Sequence, residues 1–255
     1  MKKFLRSAGI TVLVIAFWLA VWWFAAYRMG RALLLPSPHA VFQKLCELIL
    51  TAEFWRIVLR SVLRVVLGIL LAMISGVLLA LLTSCSRLLY RLFYPILSVI
   101  KATPIASFVI LALLWLGSSM LPIFIAMLIV LPVVWAAVSD GIGAFDRQLI
   151  ETCYVFNFPF GKRLKLLYLP TVMPYFLSAC KTSIGMAWKA GVAAEVLAVS
   201  PVSIGKQLFE AKIYLETEEL FAWTAVVVLL SLAIEKLVTL LFQRYTRRNT
   251  HAEAQ

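Results

Sequence analysis

Long apolar stretches separated by short polar intervals dominate the pattern of this chain. A helix that crosses a bilayer needs about 20 mostly apolar residues, at a rise of about 1.5 Å per residue. The uncharged run 102–139 is too long for one crossing, so we expect the chain to reverse at Gly117-Ser118-Ser119. The pattern predicts six membrane helices, at approximately 7–27, 62–86, 92–116, 120–139, 171–199 and 220–243.

The composition also indicates a lipid environment. Of the 255 residues, 63% are hydrophobic and 14% are charged, whereas a soluble domain is about half apolar and about a quarter charged. We therefore predict an all-α, polytopic membrane protein with a single transmembrane domain over residues 1–255, surrounded by the lipid bilayer. The apolar run 7–27 is longer than the core of a signal peptide, so we expect it to be retained as the first helix.

The formal net charge is +12. The basic residues flank the apolar stretches, as the positive-inside bias requires, and no soluble basic domain is present to bind nucleic acid. This bias places both termini and the polar interval 140–170 in the cytoplasm. On the opposite side, Pro36 and Pro38 precede apolar residues at helical spacing, which predicts a short amphipathic helix over 39–50.

The interval 140–170 carries the most informative pattern. Gly and Pro divide it into two short helical pieces, which are joined by Phe158-Pro159-Phe160-Gly161. Asn157 tolerates left-handed geometry and can end the first piece, and Pro170 can begin the next helix at its first turn. Exposed aromatic side chains on a short rigid element suit docking into a partner's groove. The alternative is that this loop packs on its own bundle.

This interval resembles the EAA coupling motif of ATP-binding-cassette (ABC) importer permeases, where Glu-Ala-Ala, a Gly and Leu-Pro stand at fixed distances. Glu151 matches the Glu of the motif, and Leu169-Pro170 matches its Leu-Pro. Thr152-Cys153 replace the two alanines, and Asn157 stands in place of the Gly. The resemblance implies that the residues coupling this chain to an ATPase are Glu151, Asn157, Phe158, Phe160, Gly161, Leu169 and Pro170.

Further segments are similar, in the right order, to the permeases of nitrate, sulfonate, taurine and bicarbonate importers. They are Leu35-Pro36-Ser37-Pro38, Ser61-Val62-Leu63-Arg64-Val65, Thr103-Pro104-Ile105-Ala106 and Ala187-Trp188…Val192-Ala193-Ala194-Glu195. The resemblance implies a type I importer permease of the bacterial inner membrane, usually a homodimer. Its partners would be an ABC ATPase subunit and an extracytoplasmic solute-binding protein. Its solute would be small and anionic or organic, such as nitrate, a sulfonate, taurine or a vitamin precursor.

The sequence gives no sign that this chain hydrolyses ATP. A phosphate-binding loop needs GxxxxGK[ST], but Phe156 occupies the first Gly position before Gly161-Lys162, and Arg163 replaces the Ser or Thr. The four cysteines form no CxxC pair and the two histidines have no ligand spacing. We therefore expect no catalytic residue, metal or cofactor in this chain, with ATP and Mg²⁺ used by the partner subunit.

Charged residues inside membrane helices are costly and usually face a cavity or a partner. Lys101, Lys189 and Glu195 are such residues, and together with Trp115 they are the candidates for lining a translocation path. Lysines in the path would attract an anionic solute, whereas the alternative for each charge is a structural ion pair. Lys101 lies between Pro95 and Pro104, which are expected to bend the third helix.

A stripe of small residues in the second predicted helix indicates close helix packing, most simply within this chain. It consists of Gly68, Ala72, Gly76 and Ala80.

Two other functions stay open on the sequence alone. An ion-gradient-driven secondary transporter would use Lys101, Lys189 and Glu195 as its relay, although such folds often show internal repeats and none is apparent here. A membrane scaffold without transport activity would stimulate no solute-dependent ATPase.

Overall fold

A computed structural model describes residues 2–31 and 33–252, with side chains for 9–10, 12–31, 33–146, 148–153 and 155–240. All regular elements in this part of the chain are helical, so the prediction of an all-α membrane protein is confirmed. The α-helices are α1 (Lys2–Met29), α2 (Pro38–Ile49), α3 (Ala52–Cys85), α4 (Arg87–Ala102), α5 (Ile105–Ala112), α6 (Leu121–Gly143), α7 (Arg147–Val155), α8 (Phe160–Arg163), α9 (Leu169–Ala198), α10 (Ile204–Ile213) and α11 (Thr217–Ala252). A π-helical segment, Leu164–Tyr168, lies between α8 and α9.

Four of the described helices are long and apolar enough to cross a membrane by themselves: α1, α3, α6 and α11. The pair α4 and α5, bent by 106°, becomes a fifth if it forms one span. Helix α9 has 30 residues but carries Lys181, Lys189 and Glu195 among its apolar side chains. The count of six membrane helices therefore stays a prediction.

The predicted third helix, 92–116, is two helices rather than one. Helix α4 ends at Ala102 and α5 begins at Ile105, because Pro104 has no N–H to donate and holds Thr103 in an extended conformation. Pro95 lies inside α4 without breaking it. After α5 ends at Ala112, the chain turns over 113–120 and enters α6.

Helix α3 starts ten residues before the predicted boundary at 62. Thr51 caps it, since its Oγ1 accepts a hydrogen bond from the Phe54 N–H at 3.2 Å. Arg56 and Arg60 lie inside this extension and hid it from the apolar pattern. The short amphipathic helix before it is present as α2, capped by Ser37 and with Pro38 in its first turn.

Helix α6 lies at the centre of the bundle and packs against α3 and α9. The small-residue stripe of α3 makes the first contact. A Cβ at Gly68 would collide with the carbonyl oxygen of Ile123, and one at Gly76 would lie 3.0 Å from Val134 Cβ. The two alanines of the stripe have no exposed surface. The prediction that the stripe packs within this chain is therefore confirmed.

Helix α11 packs against α9 and α10 and joins α2 to the bundle. The rings of Phe54 and Trp223 stack with centroids 5.2 Å apart, and Lys44 Nζ lies 3.2 Å from Glu219 Oε2. Partial burial by itself lowers the pKa of Lys44. The hydrogen bond to Glu219 and the nearby carboxylates of Glu47 and Glu216 outweigh this effect, so the pKa of Lys44 is raised above its usual value. These contacts fix α2 on the end of the bundle where α11 begins.

Helix α1 lies at the edge of the structure, and most of its described side chains are exposed. It is attached near its C-terminal end, where the Trp22 ring stacks on Phe221 with centroids 5.9 Å apart. The Trp22 Nε1–H also donates to the carbonyl oxygen of Pro36 at 3.1 Å.

Candidate functional site

The loop predicted to carry coupling forms a rigid elbow, which we define as residues 147–170. Its first arm is α7, and Asn157 ends this arm with a positive φ of 50°. The Phe158 N–H donates to the carbonyl oxygen of Cys153 at 3.0 Å, which is the six-to-one bond of a Schellman cap. The left-handed geometry expected of Asn157 is confirmed.

The aromatic residues of the elbow have two different environments. Phe156 and Phe160 are 68% and 65% exposed. Phe158 is partly buried between the Phe156 ring, at a centroid distance of 6.2 Å, and Lys162 Nζ, at 5.4 Å from its own centroid. Phe158 therefore stabilises the bend, whereas Phe156 and Phe160 present apolar surface to the outside.

The sequence predicted the second arm of the elbow as a separate short helix, but the structure shows that it is continuous with α9. From Phe160 the chain continues through α8 and the π-helical segment into α9, with every residue helical as far as Ala198. Because Pro170 has no N–H and its ring crowds the preceding turn, the helix widens there, and the Leu169 N–H bonds to the Leu164 carbonyl oxygen. The second arm is thus the start of α9.

The other residues assigned to coupling lie on the surface of this elbow. Those whose positions are exposed are Glu151, Gly161, Leu169 and Pro170. A Cβ at Gly161 would meet no atom within 4 Å, so this glycine leaves open space on α8. Cys153 in the first arm and Leu167 in the second are buried.

Glu195 has no exposed surface and belongs to a buried polar cluster. Its Oε2 accepts hydrogen bonds from Ser61 Oγ at 2.8 Å and from the Gly205 N–H at 3.2 Å. Its Oε1 lies 3.5 Å from Arg64 Nη1, and the Arg64 side chain is 14% exposed. The carboxylate is thereby fully occupied by groups from α3 and α10.

The same cluster holds the loop between α9 and α10. Arg64 donates from Nη2 to the Pro201 carbonyl oxygen at 2.8 Å, and Ser61 Oγ accepts from the Ile204 N–H at 2.9 Å. A Cβ at Gly205 would collide with the Cβ of Glu195, so only glycine fits there. For Glu195 the structure supports the structural ion pair, which was the alternative to a place in the path.

Ser61, Arg64 and Gly205 were not identified as site residues from the sequence. Arg64 could have been predicted from Glu195, an acidic residue inside α9 with no basic residue one helical turn away. Such a carboxylate needs a partner from another helix.

Lys189 has the opposite environment, although it lies on the same helix. Its side chain is 70% exposed, and its Nζ is 4.0 Å from Oε1 of Glu235, which is 47% exposed. It lies on a stripe of α9 residues that recur at helical spacing and are exposed in the part of the chain that the structure describes, and we call this stripe the uncovered face of α9. The Glu235 side chain of α11 reaches it at Lys189. The stripe consists of Tyr175, Ser178, Thr182, Met186, Lys189, Ala193 and Leu197.

The remaining path candidates lie near the C-terminal ends of α4 and α5. Lys101 is exposed in the last turn of α4, and Trp115 is 78% exposed just after α5. Helix α5 packs against α9 through a small apolar cluster that includes Val109 and Ala190, which places α5 beside the turn of α9 that carries Lys189. Among the described residues, no three His, Cys, Asp or Glu side chains are arranged to hold a metal ion.

Comparison with known proteins gives a family match over most of the chain. The sequence profile of the family described as "binding-protein-dependent transport system inner membrane component" matches residues 68–251. This range contains the elbow, α9 and Glu235. Ser61 and Arg64, the α3 partners of Glu195, precede it.

Two relatives cover nearly the whole chain. A protein of Bacillus subtilis (strain 168), named as the aliphatic sulfonates transport permease SsuC, is 25% identical over 250 residues, 97% of this chain and 89% of that protein. The taurine transport system permease protein TauC of Escherichia coli (strain K12) is 25% identical over 251 residues, 94% of this chain and 90% of that protein.

The fold is also similar to a solved structure. A crystal structure of an amino acid ABC transporter with histidines contains a chain that superposes with a TM-score of 0.62 at 16% identity. The match covers 75% of this chain and 94% of that one. At this identity the likeness concerns the arrangement of the helices alone.

Proposed function

Because this chain belongs to the family of binding-protein-dependent transport system inner membrane components and is the permease subunit of an ABC importer, we propose how it performs that task. Two copies of the chain form a homodimer in the bacterial inner membrane, with both termini in the cytoplasm. They enclose a path for a small organic solute. The solute arrives from an extracytoplasmic binding protein, and a separate ATPase subunit binds the elbow on the cytoplasmic side. The relatives do not favour the ion-gradient-driven alternative.

The observation that carries this proposal is the unbroken helical path from the elbow to the middle of the bundle. Phe160, whose ring is exposed, stands at the start of a chain of helical residues that runs to Ala198. A displacement of the elbow by a partner therefore moves α9 directly, since packed helices shift as rigid bodies. Helix α9 carries Lys189 on its uncovered face, so the motion reaches the proposed path.

The direction of coupling follows from differential binding. When ATP closes the two ATPase subunits, their grooves carry the two elbows together, and the dimer opens towards the binding protein. Hydrolysis separates the elbows and opens the cytoplasmic side. A ligand can shift such an equilibrium only by its difference in affinity for the two states, so ATP must favour the closed ATPase pair. This chain supplies the path, while ATP and Mg²⁺ are bound by the partner.

The solute class proposed here is small organic acids, with sulfonates foremost, as in the two relatives. Support from this chain comes from charge. Lys101 and Lys189 carry ammonium groups on exposed side chains of the described residues, Lys189 in an open pair with Glu235. A sulfonate is attracted to such groups by Coulomb interaction.

A double substitution of the exposed elbow aromatics, Phe156→Ser and Phe160→Ser, tests the coupling. Because neither ring packs inside the bundle, the variant should reach the membrane in normal amounts but lose co-purification with the ATPase and ATP-driven uptake in proteoliposomes. The matched control is Tyr214→Ser, a 70% exposed aromatic at the other end of the bundle, which should retain both.

Normal ATPase recovery and uptake in the double variant would contradict the coupling role. A second measurement separates the two energy sources. Uptake by the wild-type complex should require ATP and should persist after the proton gradient has been collapsed, whereas a gradient-driven transporter would stop.

A further inference from the structure

Among the described residues, helix α9 carries two ion pairs, which differ in burial, in N–O distance and in the number of additional hydrogen bonds. The pair of Glu195 and Arg64 is buried, and the carboxylate accepts additional hydrogen bonds from Ser61 and Gly205. The pair of Lys189 and Glu235 is open, has an N–O distance of 4.0 Å, and has no further hydrogen bond among those described for either side chain. A buried, multiply bonded pair cannot exchange its partner without a large cost, whereas an open and long pair can.

The open pair nevertheless has a specific geometry, because α9 has a notch into which the Glu235 side chain fits. Gly185, one turn before Lys189, leaves a notch in α9, and the Glu235 side chain occupies it. A Cβ at Gly185 would lie 2.7 Å from Glu235 Oε1. Helix α11 can therefore bring this carboxylate across the surface of α9 to Lys189. Two charges at mid-helix positions of a membrane protein are rare unless they pair or face water.

We propose that Glu235 is the exchangeable counter-ion of Lys189 and makes the translocation path electrically neutral at this level. This inference rests on the proposed function, because it takes the uncovered face of α9 to line the path. A solute that carries both an acid and an amine can exchange with both partners at once: its acid binds Lys189 while its amine binds Glu235. A simple anion leaves Glu235 without a partner.

The test measures the electrostatic field on this face with charged thiol reagents. The four native cysteines are replaced, and Ala193→Cys places a single thiol on the exposed stripe, one turn after Lys189. The complex with its ATPase is prepared in right-side-out and inside-out membrane vesicles. Rates of modification are measured with sulfonatoethyl methanethiosulfonate, an anion, and trimethylammonioethyl methanethiosulfonate, a cation. Each rate is divided by the rate of that reagent with a small free thiol.

For the intact pair, the corrected ratio of anionic to cationic rates should lie near one. In Glu235→Gln, which keeps the side-chain shape, Lys189 is left unneutralised one turn from the thiol, with about 6 Å between the Cβ atoms. For charges at about that separation in water of low ionic strength, Coulomb's law gives roughly a threefold change for each reagent in opposite directions, and thus about a tenfold rise in the ratio. Lys189→Gln should lower the ratio by a similar factor. Glu210→Gln, which breaks the partly exposed pair with Lys206 on α10, should leave it unchanged.

The outcomes separate the two levels of the proposal. If neither reagent modifies the thiol from either side of the membrane, the face does not line a water-filled path, and the proposed function fails at this point. If both reagents react but Glu235→Gln leaves the ratio unchanged, the path stands and the counter-ion role is overturned. A strongly anion-selective ratio in the unsubstituted pair would also overturn it.

Discussion

Removal of the buried carboxylate by Glu195→Ala should be among the most damaging single changes in this chain. In the structure this side chain accepts hydrogen bonds from Ser61 Oγ at 2.8 Å and from the Gly205 N–H at 3.2 Å, and it pairs with Arg64. The substitution leaves three donors without their acceptor at a position where the carboxylate has no exposed surface. It also leaves a buried positive charge without its counter-ion.

The size of the effect follows from these contacts. Loss of one partner of a buried ion pair costs about 3–5 kcal/mol. Arg64 keeps its hydrogen bond to the Pro201 carbonyl oxygen at 2.8 Å, so we place Glu195→Ala at the lower end, about 3 kcal/mol. Glu195→Gln also removes the counter-ion of Arg64, but its amide oxygen can still accept from Ser61 and the Gly205 N–H, so it should cost about 1–2 kcal/mol less than the alanine variant.

The assay is reversible unfolding in mixed detergent micelles, followed by tryptophan fluorescence. Trp188 and Trp223 are each only 1% exposed and report loss of the bundle. Glu210→Ala, which breaks an exposed i,i+4 pair, is the control and should change stability by no more than about 0.5 kcal/mol. A loss below about 1 kcal/mol for Glu195→Ala, or equal losses for the Ala and Gln variants, would refute the reasoning.

Two further predictions concern packing and the elbow. Gly68→Val should destabilise the bundle by about 1–3 kcal/mol because its side chain collides with α6. Gly143→Ala, where a Cβ would meet nothing within 4 Å, should not destabilise it. The same unfolding assay checks both variants, and equal stabilities would contradict the packing described. Asn157→Gly should retain ATPase co-purification because glycine adopts the left-handed φ of 50°. In Asn157→Val this backbone conformation costs about 1–2 kcal/mol, so co-purification should weaken. A valine variant that binds the ATPase as well as the glycine variant would show that the cap does not position the elbow.

Local signals in the sequence predicted the features that depend on a few neighbouring residues. The left-handed Asn157 and a bend near Pro104 each follow from the conformational limits of one residue type, although the bend is in fact a break between two helices. The short helix α2 was predicted from apolar residues at helical spacing. The small-residue stripe of α3 predicted close packing because spacing of four fixes a helix face.

Features that depend on residues far apart in the chain could not be predicted from the sequence. Arg64 and Glu195 are 131 positions apart, and no periodicity relates them. The apolar pattern set the start of α3 at 62, because charged residues in its first turns look like a loop. The π-helical segment before Leu169 was also missed, since a Leu-Pro step is equally compatible with the beginning of a new helix. The Lys189–Glu235 pair appears only once α11 lies against α9.

The central claim is that the elbow is the contact through which an ATPase moves α9. Disulfide cross-linking tests it most directly, with Phe160→Cys in a cysteine-free chain and single cysteines along the groove of the ATPase subunit. We predict that a cross-link forms at position 160, that its yield changes between the ATP-bound and nucleotide-free complex, and that Tyr214→Cys forms none. A thiol at 160 that forms no cross-link and reacts with impermeant reagents only from the extracytoplasmic side would contradict the account.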